Sequence, residues 1–147
     1  MPTTITPANA AITAAITGLT ALQIADVSES VTVSANTEGY SNTINVGTAA
    51  EVTLLDSQNI ETGGALDFDG VFIINKDDTN FVRIRLADTG AHTVDFQLDA
   101  GRFMFFWNRS INVSTTEAAF GAFTSIDTIV GRADTLAVDV KIVAFRI

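Results

Sequence analysis

Cysteine is missing from this chain, which removes disulfides, thiolate metal centres and cysteine nucleophiles together. Histidine occurs once, at His92, so imidazole chemistry has a single address. Positive charge is scarce and late: no lysine or arginine precedes Lys76, whereas residues 1–75 hold eight acids. From residue 76 onward eight basic residues meet nine acidic ones, so the first stretch carries −8 of the formal charge of −9. That balance argues against nucleic acid as a partner, because displacing counterions from phosphates takes clustered cations. An acidic half suits a solvated surface, or docking on a basic face of a larger assembly. Long apolar runs are also absent. The opening MPTTITPANAAITAAITGLT lacks the cationic start of an export signal, and threonine interrupts each apolar run. The expectation is a soluble chain with no membrane partner. No glycine-rich phosphate loop ending in Gly-Lys is found either.

What is present is β-structure in a chain of 147 residues, long enough for one real core. Residues 71–107 are the organising stretch and read as a meander of consecutive strands. Val71 to Asn75 is an apolar run; Val82, Ile84 and Leu86 then alternate with Arg83 and Arg85. Val94, Phe96 and Leu98 alternate with Asp95 and Gln97. Period two puts successive side chains on opposite faces of a sheet, one dry and one wet. Arg102 to Trp107 closes the set. Its Phe103, Phe105, Phe106 and Trp107 point to a strand buried on both faces, against a partner sheet and a neighbouring subunit, with a carbohydrate platform as the other reading. Turns at 76–80, 88–90 and 99–101 carry the Asx and glycine chemistry of tight reversals.

On either side of this stretch the signals are shorter. A strand is expected over 27–34, a turn from Asn36 to Tyr40, and short strands at Ile44–Val46 and Glu51–Leu55. A loop from Asp56 to Gly70 carries Gly63 and Gly64. Later come a strand at Ser110–Val113, a helical turn or bent connection at Glu117–Phe123, and a strand at Ile126–Val130 with a turn at Gly131–Asp134. In the final strand, Leu136–Ile147, the apolar phase slips after Ile142, as a β-bulge or a bend between sheets would make it. Residues 1–25 stand apart. Thr6-Pro7 suits a helix start, and Ile12, Ile16 and Leu19 fall at helical spacing, which predicts a short helix or an extended arm. The fold expected is therefore an all-β, antiparallel, jelly-roll-like sandwich over 26–147, preceded by an arm over 1–25.

Chemistry is thin. Asp88-Thr89-Gly90-Ala91 is similar to the active-site loop of retroviral-type aspartic proteases, and Thr128 to Arg132, TIVGR, is similar to the element that backs it. In such a homodimer Asp88 would share a proton with its twin. Against this, the interval from Asp88 to Gly131 is short, no glycine-rich flap lies within it, and arginines precede Leu86-Ala87. Ordinary turn chemistry explains the motif better, with Asp88 capping and Gly90 at positive φ. His92 has no nucleophile elbow beside it and is expected to point outward. Asp67, Asp69, Asp77 and Asp78 lack the spacing of a calcium loop. Asn108-Arg-Ser110 and Asn112-Val-Ser114 match the glycosylation acceptor pattern and are expected to go unused without export. No catalytic, cofactor-binding or metal-binding residue is assigned.

The stretches VFIINKDDTNFVRIRL and VDFQLDAGRFMFFWN, after an Ala/Thr-rich start and within a cysteine-free β body, resemble the small β-sandwich virion proteins of tailed bacteriophages, above all the capsid decoration or cement type. The resemblance implies a non-enzymatic virion component, made in the host cytoplasm, that forms trimers and binds the shell of the major capsid protein. A phage fibre-tip or receptor-binding module that holds a glycan is the alternative.

Overall fold

The computed structural model describes residues 10–16, 27–33, 38–90, 92–112 and 122–146. The chain divides into two compact units, Met1–Thr37 with Ile147, and Glu38–Arg146. The first holds β1 (Ala10–Ile16) and β2 (Val27–Val33), antiparallel from Ala10↔Val33 to Ile16↔Val27. Ile12 and Ile16 thus lie on extended backbone, the second of the two forms expected, and not on a short helix. Isoleucine and threonine are stiff at χ1 and favour extended backbone; Thr6, Pro7 and Leu19 lie outside the described residues. The strand expected over 27–34 belongs to this unit.

The second unit holds β3 (Glu38–Val46), β4 (Val52–Leu55), β5 (Glu61–Thr62), β6 (Ala65–Leu66), β7 (Gly70–Asn75), β8 (Val82–Asp88), β9 (Thr93–Leu98), β10 (Phe103–Phe106), β11 (Ser110–Ile111), β12 (Thr124–Ala133) and β13 (Val138–Arg146). No helix occurs among the described residues, and the paired strands are antiparallel. One sheet runs β10-β7-β13-β3. The other runs β9-β8-β12, with β4 and β11 both pairing to β12. The expected antiparallel sandwich is what forms. Its long strands pair in nested order: β3 with β13, β4 with β12, β7 with β10, β8 with β9.

The core lies between the two sheets. Val71, Ile73, Val140 and Ile142 from one join Val82, Ile84, Leu86 and Ile129 from the other, all essentially without solvent contact. Each such side chain contributes about 1.5–3 kcal/mol relative to an exposed one. The segment between β4 and β7 adds Ile60, Leu66 and Phe68 to the core, and its β5–β6 hairpin turns on Gly63 and Gly64 at φ 63° and 83°.

Several sequence expectations change. The stretch from 71 to 107 is not a meander, since only β8 and β9 pair as neighbours in sequence. The connections 76–81 and 99–102 cross between sheets, so β10 returns to pair with β7. Buried Asn75 ties both crossings together: its amide donates to the carbonyls of Asn80 (2.8 Å) and Leu98 (3.1 Å), and its Oδ1 accepts from the Asp77 N–H (3.0 Å). Tyr40 lies in β3 and not in a turn. Gly131 continues β12 and does not start a turn. The bulge foreseen after Ile142 is absent, because β13 keeps one register against β3 from Val138 to Arg146. Register shifts occur on β12 instead, between Ile126 and Thr128 against β8 and between Ile129 and Val130 against β4.

Candidate functional site

The second apolar set on β13 has a different cause. Val138, Val140, Ile142 and Ala144 face the core, so Val143 and Phe145 face outward. On β10, Met104 and Phe106 pack on the core, which leaves Phe103, Phe105 and the following Trp107 on the outer face. Within the chain this strand is covered on the face toward the partner sheet, and its other face is the one expected to meet a neighbouring subunit.

Register then assembles these residues into one aromatic surface. Phe105 stands opposite Phe72, with ring centroids 4.3 Å apart, and Phe72 stands opposite Val143. Phe103 lies 6.5 Å from Phe72 on the other side. Trp107 meets Phe105 and Phe145 edge-on, each at 5.7 Å. Phe145 can lie flat because its partner across the strands is Gly70: a Cβ there would come within 2.8 Å of the Phe145 ring. That leaves Phe145 only 7% exposed, while Phe103 and Trp107 remain 66% and 40% exposed. β10 is also an edge strand, and Phe103–Phe106 carries none of the lysine, proline or bulge that usually blunts an edge. A clustered apolar face of this kind has the composition that contact surfaces share. The alternation in the sequence does not mark Phe72 and Phe145 as its members; the available signal is Gly70 at the head of β7, which leaves room for a ring.

The Asp88 motif is a hairpin turn with a tight hydrogen-bond network. The Asp88 side chain is 1% exposed. Oδ1 accepts from the N–H groups of Gly90 and His92, both at 2.8 Å. Oδ2 meets His92 Nδ1 at 3.0 Å and accepts a short hydrogen bond from the Thr124 hydroxyl. These donors hold the carboxyl at about 2, the Thr124 hydroxyl most strongly. Asp88, His92 and Thr124 come together, but the hydroxyl points at the carboxylate and not at the imidazole. The arrangement fastens β12 to the β8–β9 turn. Gly90 is not among the glycines at positive φ, contrary to the turn expected; a Cβ there would meet the His92 ring at 2.9 Å. His92 is exposed, as expected, though its ring is tethered at one nitrogen.

The other acids have ordinary partners. Asp67 pairs with Arg109 at 2.8 Å and Arg146 at 3.6 Å. Asp77 closes the 76–80 turn by accepting from the Thr79 and Asn80 N–H groups, which hold its pKa down. Asp95 takes both forks of Arg85, at 2.7 and 2.9 Å, and its pKa is lowered by that guanidinium. No group of three metal-ligating side chains comes together among the described residues. Asn108 accepts from the Ser110 N–H and Asn112 donates to the Ala122 carbonyl, so both amides are engaged within the chain. Protein-family models, curated proteins and solved structures yield no match to this chain.

Proposed function

We propose that this protein is a non-enzymatic virion component, a capsid decoration or cement protein that seats on the outer shell of a tailed phage and stabilises it, most simply as a homotrimer. The observation that carries the reading is the aromatic outer face of the β10-β7-β13-β3 sheet, held rigid by Gly70 and by ring-on-ring contact. A preordered apolar face loses little entropy on docking. A subunit that binds only the assembled shell stabilises it in proportion to its affinity and concentration. The deciding experiment mixes purified protein with expanded phage capsids and follows co-sedimentation and the calorimetric Tm of the shell. The expected result is saturable binding and a raised Tm, both reduced by Phe103→Ser and Trp107→Ala. No binding to any such shell ends the proposal.

The exposed Trp107 edge favours one other reading, a glycan-holding fibre-tip module. Glycan-array binding that Trp107→Ala abolishes, without capsid binding, would select it.

A further inference from the structure

The opposite side of the sandwich carries a feature that the aromatic face does not explain. Arg83 on β8 and Arg132 on β12 are direct cross-strand partners, and both are exposed on the outer face of their sheet. Like charges directly opposite each other on a sheet are destabilising. They are conspicuous in a chain of charge −9 that has only eight basic residues to place. The neighbouring Arg85 is paired with Asp95 and Glu51, and its grip takes both oxygens of Asp95, which then meets Arg83 only through space. Arg132 spends its Nε–H on the Thr48 carbonyl at 2.9 Å, which orients the guanidinium and leaves its terminal nitrogens without a protein acceptor among the described residues. No ion pair joins either arginine to a carboxylate among the described residues.

Between them lies an open cleft of about 190 Å³, lined by Phe81, Arg83, Arg132, Ala133 and Asp134. Phe81 and Asp134 continue the same antiparallel pairing one step beyond the arginines, the Asp134 N–H donating to the Phe81 carbonyl. Phe81, Arg83, Arg132 and Asp134 therefore share the outer face, and the surface they give the cleft is mainly polar, with a carboxylate on the strand opposite Arg83. Asp134 Oδ2 accepts from its neighbour Thr135, and no described hydrogen bond engages Oδ1.

We propose that this cleft is a binding site for a hydroxylated oxyanion of monosaccharide size, its carboxylate or phosphate held by the two guanidinium forks and a hydroxyl donating to Asp134. Guanidinium forks match planar carboxylate and phosphate oxygens, and charge-assisted hydrogen bonds are the strong class. The anion also removes the repulsion between Arg83 and Arg132, so ligand binding and fold stability are coupled. The site lies on the other sheet from the aromatic face, and the proposal stands or falls independently of capsid binding.

The test uses the full chain at low ionic strength, with glucuronate, glucose 6-phosphate, inorganic phosphate and glucose titrated separately against amide NMR shifts and Tm, each with a chloride control of equal ionic strength. Saturable binding of glucuronate or of glucose 6-phosphate is expected, with shifts centred on residues 81–83 and 132–134, and the two arms distinguish a carboxylated from a phosphorylated sugar. Arg83→Gln should weaken binding at least tenfold while raising the Tm of the free protein. Failure of both acidic sugars to bind better than phosphate and glucose overturns the proposal, as does undiminished binding by Arg83→Gln.

Discussion

Asp88 and Gly70 show how much rests on single side chains. Asp88 is ionised in the folded chain well below the usual carboxylate range, so its contribution is complete above the unfolded value and is lost as the pH falls through about 2. The wild-type protein should therefore lose stability progressively from about pH 5 downward. In Asp88→Asn the loss should be shallower: urea unfolding should show a variant less stable at pH 7 whose deficit closes as the pH approaches 2. Equal deficits at both pH values would show that the charge of Asp88 is irrelevant. At Gly70 the constraint is space. Gly70→Ala forces a methyl group into the Phe145 ring, and overpacking of this kind costs about 1–3 kcal/mol. Adding Phe145→Leu should restore most of that stability in the double variant, a non-additivity readable in chemical denaturation.

Among the elements, alternation along Val82–Leu86 and Val94–Leu98 announced β8 and β9 correctly, because period two is a property of the strand alone. Choice of partner is not such a property. Nothing within Val71–Asn75 says that its neighbours are β10 and β13, and that choice decides whether Phe72, Phe105 and Val143 share a face. The misreadings have similar physics. Ile12 and Ile16, four residues apart, fit one stripe of a helix and equally one face of a strand, and the pairing partner Val27–Val33 decides between them. On β13 two dry faces imitated a slipped phase, since Phe145 is covered from outside by Trp107 and by room left at Gly70. The aromatic surface was thus legible as residues but not as a surface. The Arg83–Arg132 cleft was invisible, because its halves lie on strands far apart in the chain. The β10 edge carries its own expectation: Phe105→Lys should leave the β-type circular dichroism unchanged while abolishing any self-association or shell contact made through this edge.

For the whole molecule, the division at residue 37 separates a unit whose described residues form two strands from one that holds β3 to β13 and their own core. An isolated hairpin is marginal in water, whereas a closed sandwich is not. Removal of residues 1–37 should leave residues 38–147 with a cooperative thermal transition. Under the proposed function the same deletion should lower oligomer size or particle binding, measured by light scattering and co-sedimentation. If neither changes, the leading segment has no part in assembly.

The nesting of strands also dictates when this body can form. Among the described strands β3 pairs only with β13, and β4 only with β12, so the first strands of the sandwich to be made wait for its last. Hairpin β8–β9 can close early, but the first-made edge has no sheet to join until translation has passed Arg146. The sandwich therefore closes on contacts far apart in the chain, at the slow pace such contacts impose. A chain stalled short of Val138 would present unsealed strands to every other copy being made.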